Sequence, residues 1–407
     1  MPAPTANSPA LLVAQSGGAT AVINASLVGA IEAARDSTRF GRVLGARNGI
    51  EGVLQDRLID LHDQAPETLS AIRRTPSAAL GTGRHKRNED DLDLALERMR
   101  ILNIAAFVYI GGNDSVDTAH QLATRAAEIG QELAVALVPK TIDNDLMETD
   151  HCPGYGSIAR YIGNAVRDAT YDSIAHSQLY AVKFVETMGR DAGWVAASSA
   201  LGFSDAEHDL LPIVLLPERP PENLSVVLAA IERDLASRGW SVVVVPETLC
   251  DATGQHVGGE EPEYSDAFGH PYFPSAGSAL TRLVTRDLGV RARYDKPGTA
   301  ARMSISFASD VDLAEAYALG AAAVERLVSG QTGFAIILCR TGDNPYACDI
   351  GVVPIERIAN KVRCLPDKFI AATGMGINDE FRRYAMPLLG TEPFPLYRRF
   401  DFTLQDG

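Results

Sequence analysis

The sequence has few cysteines and no long apolar run. Its five cysteines are scattered over 407 residues and form no Cys-x-x-Cys pair, so we expect neither a disulfide framework nor a zinc site. No stretch reaches the roughly 18 consecutive apolar residues of a membrane span. The first ten residues also lack the basic and apolar regions of a secretory signal. These absences predict a cytoplasmic protein with no membrane partner.

Positive charge is also scarce. Lys and Arg number 37 against 52 Asp and Glu, which gives a formal net charge of -15. The phosphate backbone would repel such a chain, so we expect no nucleic-acid partner. An anionic small substrate must therefore meet a local basic pocket. One candidate is the basic cluster Arg282, Arg291, Arg293, Lys296 and Arg302, for which a solvated basic face is the alternative.

Hydrophobic residues make up 46% of the chain, and short apolar runs alternate with stretches of helical spacing. The runs that predict strands are Leu11–Ala14, Ile104–Ile110, Leu133–Val138, Leu179–Phe184, Leu211–Leu216, Ser241–Val245 and Phe334–Leu338. The predicted helices are Thr20–Arg35, Val116–Ile129, Tyr155–Ile174, Leu224–Leu235, Gly277–Leu288 and Leu313–Val328. This alternation predicts an α/β protein with parallel sheets covered on both faces. Ligands of such sheets bind beyond the carboxyl ends of the strands.

Glycine turns follow two of the predicted strands. Gly17 and Gly18 follow the first strand without forming a GxxxxGK[ST] or GxGxxG motif. Such a turn lets a phosphate approach the backbone and a helix N-terminus, although a tight strand-to-helix connection is an equal alternative. A second turn leads into Asn113 and Asp114, whose oxygens suit magnesium. The alternative there is an Asp or Ser cap on a helix that begins at Val116.

The segment that ends the third strand carries three ionisable groups. Asp143 and Asp145 lie two residues apart, and Lys140 precedes them. One carboxylate can accept a proton from a sugar hydroxyl while the other organises a metal, and the Lys can neutralise a transferring phosphoryl group. An Asx-rich turn with a solvated Lys is the alternative. We favour function, because placing three ionisable groups at a buried strand end is costly.

Further candidate residues follow later strands. In Met188–Trp194, Gly189 permits close backbone approach and Arg190 offers a bidentate fork to phosphate, unless the segment is a helix start with an Arg–Asp surface pair. Glu247 can accept hydrogen bonds from sugar hydroxyls or cap a helix. The segment Gly254–Pro274 reads as a long irregular loop, either functional or a plain surface insertion.

In combination, these segments resemble the phosphofructokinase family. The resemblance is carried by SGGATAVIN, GTGRHK, IGGNDS, PKTIDND, PGYGS, ETMGRDAGW and YDKPGT. The sequence looks like the pyrophosphate-dependent branch, because ATP-using members typically carry Gly where this chain has Asp114 and Lys140. A carboxylate at 114 would repel an ATP α-phosphate, and Lys140 suits the leaving phosphate of pyrophosphate. One departure is Asn113, where that branch most often has Asp.

The resemblance implies a role for individual residues. Asp143 would be the base for the sugar 1-hydroxyl, with Lys140, Asp114 and Arg190 completing the catalytic set. Donor contacts would fall on Gly17, Gly18, Arg84, Asp114 and Lys140. Sugar-phosphate contacts would fall on Thr141, Ile142, Asp143, Lys183, Met188, Gly189, Arg190, Glu247, Arg293, Tyr294 and Arg302. Magnesium, the implied cofactor, would bind at Asn113 and Asp145.

The resemblance also implies the fold and the reaction. The fold would be two Rossmann-like α/β domains with mostly parallel sheets and the active site in the cleft between them. Residues 1–150 and 303–360 would form the donor and magnesium domain, and residues 151–302 and 361–407 the sugar-phosphate domain. Pyrophosphate and fructose 6-phosphate would be the small-molecule substrates of a homodimer or homotetramer. An ATP-dependent kinase and a non-catalytic sugar-phosphate-binding subunit remain alternatives.

Overall fold

The computed structural model describes residues 8–83, 88–265, 271–395, 397–398 and 400. The strands of this part are β1 (Ala10–Gln15), β2 (Arg42–Ala46), β3 (Leu58–Asp60), β4 (Ile104–Gly111), β5 (Ala134–Pro139), β6 (Val182–Thr187), β7 (Ile213–Val214), β8 (Ser241–Pro246), β9 (Tyr264–Ser265), β10 (Pro271–Tyr272), β11 (Ala292–Asp295), β12 (Phe334–Asp343) and β13 (Tyr346–Pro354). The α-helices are α1 (Ile23–Asp36), α2 (Ile50–Leu54), α3 (Pro66–Arg73), α4 (Glu89–Ile101), α5 (Asn113–Glu128), α6 (Tyr155–Ala175), α7 (Trp194–Ser198), α8 (Leu224–Arg238), α9 (Ala276–Asp287), α10 (Gly298–Met303), α11 (Asp310–Val328) and α12 (Asp379–Ala385). None of these helices combines the length and apolar character that a bilayer span requires.

The larger sheet has seven strands in the order β13-β12-β5-β4-β1-β2-β3. Its five central strands run parallel, and antiparallel partners close both edges. Strands β1, β4 and β5 are almost entirely buried because helices cover both faces of the sheet. Their carboxyl ends therefore lie together at one edge, which is where the glycine turns and the acidic segment begin.

The smaller sheet is fully parallel, in the order β11-β6-β8-β7. Strands β6 and β8 pair in register from Val182 with Ser241 to Thr187 with Pro246. All residues of both strands are buried. The backbone N–H of Glu247 donates to the carbonyl of Thr187, which keeps the two strand ends together beyond the sheet.

Two glycines allow α1 and α11 to cross closely. A Cβ on Gly29 would lie 2.1 Å from the carbonyl oxygen of Tyr317. A Cβ on Gly320 would lie 2.0 Å from the carbonyl oxygen of Ser26. Both distances are far below a van der Waals contact, so only glycine permits this packing. The helix that follows the first glycine turn is thereby fixed against a helix from late in the chain.

The buried His151 takes part in a network of ion pairs that joins the segment before α6 to α11 and β12. The ring nitrogens of His151 lie 2.8 Å from Asp150 Oδ1 and 2.7 Å from Glu315 Oε2. Arg340 of β12 also pairs with Asp150, and the hydroxyl of Tyr346 donates to Glu315. Burial disfavours the charged imidazole, but the hydrogen bonds to the two carboxylates outweigh it and raise the pKa of His151. The ion pairs link the segment before α6 to α11 and β12.

The predicted α/β architecture with mostly parallel sheets is confirmed, and the structure corrects several elements. The predicted strand Leu179–Phe184 begins only at Val182. The predicted strand Leu211–Leu216 is reduced to two residues, β7. The segment Gly254–Pro274 contains a short antiparallel hairpin, β9–β10, in place of a wholly irregular loop. These differences lie at element ends and in loops, where hydrophobic periodicity carries least information.

Candidate active site

The carboxyl ends of both sheets face one cleft. One cavity of about 310 Å³ contains thirteen of the predicted site residues: Gly17, Gly18, Asn113, Asp114, Lys140, Thr141, Ile142, Asp143, Asp145, Met188, Arg190, Glu247 and Arg302. An adjoining cavity of about 390 Å³ shares five of these residues, Asn113, Asp114, Asp145, Arg190 and Glu247, and adds Gly189. The sequence pattern therefore brings most of its candidate residues to one place.

Lys140 closes the first glycine turn. Its Nζ donates to the carbonyl of Gly18 at 2.7 Å, and the residue is only 2% exposed. Gly17 has a φ of 76°, and a Cβ there would lie 3.2 Å from Nζ of Lys140. The hydroxyl of Thr82 donates to the carbonyl of Gly17. The solvated-Lys alternative is wrong, because the ammonium is buried against the turn.

The second glycine turn places an amide and a carboxylate in the cleft. Helix α5 begins at Asn113, and its N-cap is Gly112, which has no side chain to cap it. The alternative of an Asp or Ser cap at Val116 is therefore wrong. Asp114 lies in the first turn of the helix, where the helix dipole favours a negative charge. Its side chain faces both cavities.

Asn113 and Asp145 present two unused oxygens. The side-chain amide of Asn113 donates to Asp145 Oδ2 at 2.7 Å. Oδ1 of Asn113 and Oδ1 of Asp145 are buried and accept no hydrogen bond. Oxygen donors of this kind suit a hard divalent cation that keeps several waters. No group of three or more His, Cys, Asp or Glu able to hold a metal occurs in the described residues, so waters and phosphate oxygens would complete such a site.

Asp143 lies at the centre of the cleft. Burial, followed by the nearby Asp145 carboxylate, raises the pKa of Asp143 to about 7, although Arg190 counteracts the shift. Burial also raises the pKa of Asp145 and of Glu247. A carboxyl group in such surroundings holds a proton more readily than an exposed one, as expected of a group that takes up a proton.

Arg190 connects the two sides of the cleft. It has a φ of 49°, unusual for a residue with a side chain, and its side chain faces both cavities. Helix α7 begins at Trp194, the last residue of this segment, so the alternative of a helix start holds for the end of the segment, four residues beyond Arg190. Arg302 lies against the first glycine turn, with Nη1 3.1 Å from the position of a Cβ on Gly18. Both guanidinium groups can reach an anion in the cleft.

Three predicted sugar-phosphate residues line neither cavity. Lys183 is buried and pairs with Asp172 and Asp295. The guanidinium of Arg293 lies over the ring of Tyr180 at 4.1 Å. Tyr294 is exposed on the same strand. Their roles stay predictions, and Arg84 lies outside the described residues.

The cleft also contains residues that the predicted site lacks. They include Ser115, Tyr264, Tyr272 and Thr299 in the first cavity, and His256 and Lys296 in the second. The rings of Tyr264 and Tyr272 stack on the hairpin β9–β10, with their centroids 4.6 Å apart. Aromatic residues within the glycine- and proline-rich segment were the one signal for them. Lys296 belongs to the basic cluster and pairs with the buried Glu186 at 2.6 Å.

Comparisons with known proteins agree with this geometry. The phosphofructokinase family model matches residues 10–327. The pyrophosphate--fructose 6-phosphate 1-phosphotransferase of Methylococcus capsulatus is 38% identical over 94% of this chain and 92% of its own. The enzyme of the same name from Xanthomonas campestris is also 38% identical, with the same coverage. A crystal structure of pyrophosphate-dependent phosphofructokinase from Nitrosospira multiformis superposes with a TM-score of 0.86 at 33% identity, covering 98% of this chain and 95% of that one. The chain belongs to the phosphofructokinase family.

Proposed function

We propose that the protein transfers a phosphoryl group from pyrophosphate to the 1-hydroxyl of fructose 6-phosphate. The products are fructose 1,6-bisphosphate and phosphate, and the reaction is reversible. The observation that carries the proposal is the pair of charged groups at the donor end of the cleft. The buried ammonium of Lys140 lies at the glycine turn, and Asp114 shares its cavity. These groups favour a short inorganic donor and repel the α-phosphate of a nucleotide.

The chemical step follows from the same cavity. Asp143 accepts the proton of the sugar 1-hydroxyl. At the same time the hydroxyl oxygen bonds to the transferred phosphorus, and the bond between that phosphorus and the oxygen of the leaving phosphate breaks. Lys140 and Arg190 stabilise the charge on the phosphoryl oxygens. Met188, Glu247 and Arg302 border the acceptor, and Thr141 and Ile142 shape the catalytic loop. Catalysis then comes mainly from positioning and charge neutralisation.

Phosphofructokinases use a divalent metal. The free oxygens of Asn113 and Asp145 fit such an ion, and we propose Mg²⁺ because the donors are hard oxygens. When bound, the ion would neutralise charge on the pyrophosphate oxygens. Asn113 would contribute a neutral amide oxygen, so Asp145 would supply the charge.

We assign the two halves of the cleft to two domains. Residues 1–150 and 303–360 would carry the donor and the metal, and residues 151–302 and 361–407 the sugar phosphate. We also propose a cytoplasmic homodimer or homotetramer, with Lys183, Arg293 and Tyr294 serving a sugar phosphate outside the two cavities. All five cysteines are free, which is compatible with a reducing compartment.

A donor-swap assay tests the proposal. Purified protein, Mg²⁺ and fructose 6-phosphate are mixed with pyrophosphate or ATP, and initial rates of fructose 1,6-bisphosphate formation are compared. We expect turnover with pyrophosphate and little with ATP. Faster turnover with ATP would assign the chain to the ATP-dependent kinases. Tight binding of fructose 6-phosphate without turnover on either donor would indicate a regulatory subunit.

A further inference from the structure

Arg363 holds the loop that carries the catalytic carboxylates. Its guanidinium donates to the carbonyl of Asn144 through Nε at 3.1 Å and through Nη2 at 2.7 Å. Nη1 donates to the carbonyls of Thr149 at 2.6 Å and Asp150 at 2.5 Å. Its backbone N–H donates to the carbonyl of Asp145 at 2.7 Å. One residue thus binds both ends of the turn that follows Asp143.

The turn is one that needs such support. Asn144 has a φ of 55°, in the left-handed region, and is completely buried. Its side chain accepts a hydrogen bond from the backbone N–H of Cys152 at 2.9 Å and donates to the hydroxyl of Tyr384 at 3.1 Å. That hydroxyl donates to the carbonyl of Asp150 at 2.8 Å. The backbone that follows Asp143 is therefore fixed at both ends of the turn by residues from outside it.

The support comes from the C-terminal part of the chain. Arg363 and Tyr384 both lie beyond residues 10–327, which the family model matches. The guanidinium of Arg363 packs over the ring of Trp194, 4.7 Å from the centroid, and the indole N–H donates to the carbonyl of Arg363 at 3.0 Å. Trp194 thus holds Arg363 in place independently of the loop.

We propose that Arg363 is a positioning residue for catalysis: its guanidinium holds carbonyls at both ends of the turn that follows Asp143 and so aims Asp143 at the acceptor hydroxyl. Arg363 lines neither cavity. The guanidinium of an arginine carries N–H donors on three nitrogens and can bind carbonyls at both ends of the turn at once. The ammonium of a lysine has all its donors on one nitrogen and cannot span the two ends. The inference rests on the proposed function, because it concerns the loop that carries the proposed base, Asp143.

The test compares Arg363→Ala with a matched control. Arg382 is also a partly buried C-terminal arginine, and it donates to two backbone carbonyls, those of Ala200 and Phe203, at 2.9 and 2.8 Å. Arg382→Ala therefore loses bonds of the same kind, from a guanidinium to backbone carbonyls, that do not involve the catalytic loop. For each variant, kcat and both KM values are measured with pyrophosphate and fructose 6-phosphate, and folding is checked by thermal melting. The assays are repeated with millimolar guanidinium ion.

We expect Arg363→Ala to lower kcat on the order of 10²-fold, the effect of misplacing a reacting group by about 1 Å, with KM values little changed. Guanidinium ion should restore part of this loss, and Arg382→Ala should keep a near-normal kcat. Where Arg363→Ala does not fold, Arg363→Lys decides, and at least a fivefold loss of kcat is expected. A folded Arg363 variant with the kcat of the control would overturn the inference. Lack of turnover by the unaltered protein would instead refute the proposed function.

Discussion

Replacing Lys140 by Met removes one charge from the donor end of the cleft and keeps the volume of the side chain. The ammonium is buried, 2.7 Å from the carbonyl of Gly18, and its charge also stabilises the ionised form of Asp143. A donor that stabilises transition-state charge from a fixed position is worth about 2.7–4 kcal/mol. We therefore expect Lys140→Met to lower kcat with pyrophosphate by about 10²–10³-fold.

The variant should still fold. Losing a charged hydrogen bond costs about 1.5–3 kcal/mol, and burying Met in place of an ammonium recovers part of that cost. Thermal melting checks the fold, and binding of fructose 6-phosphate should be unchanged because Arg190, Glu247 and Arg302 remain. Initial rates are measured with varied pyrophosphate at saturating fructose 6-phosphate and Mg²⁺. A folded variant within threefold of the normal kcat would refute the role of this charge.

Three further changes test other parts of the structure. Asp143→Ser should leave binding of fructose 6-phosphate nearly intact and lower kcat by at least ~10²-fold, because the proposed base for the 1-hydroxyl is lost, and near-normal turnover would contradict that role. Asp114→Gly combined with Lys140→Gly should raise the rate with ATP relative to pyrophosphate, and an unchanged ratio of initial rates would count against exclusion of the nucleotide by these side chains. His151→Gln should destabilise the protein most below the ordinary imidazole pKa of about 6.5, since a raised pKa in the folded state favours folding there. Urea unfolding from pH 5.5 to 9 should show the difference from the unaltered protein shrinking as the pH rises through the raised pKa, and a constant difference would exclude a charged His151.

The sequence allowed the residues at the carboxyl ends of β1, β4 and β5 to be placed together in one cleft. The residues concerned follow directly on buried strands, so the parallel order of β1, β4 and β5 alone brings Gly17, Asp114 and Asp143 to one edge. Local pattern was sufficient there, because each residue is placed by the strand that precedes it.

The residues that follow or lie on the strands of the smaller sheet were less accessible to prediction. Lys183 and Arg293 also lie on strands, but they find partners in Asp172 and the ring of Tyr180 instead of facing either cavity. Tyr272 enters the cleft from a hairpin whose course no periodicity indicates. Arg363 binds backbone carbonyl groups of the catalytic loop. Every residue has such a group, so no sequence motif could reveal this contact.

The glycine crossing of α1 and α11 has a consequence for how the protein is made. The helix that presents the first glycine turn finds its packing partner only when the ribosome has translated beyond Gly320. Until then the open side of β5 also lacks β12, which pairs with it through Phe334 and Ala335. A nascent chain therefore exposes an unpaired strand edge and an apolar helix face for most of its synthesis, and such surfaces promote aggregation. Termination between Lys140 and Gly320 would leave this half of the cleft unable to assemble, although every residue predicted to contact pyrophosphate had already been incorporated.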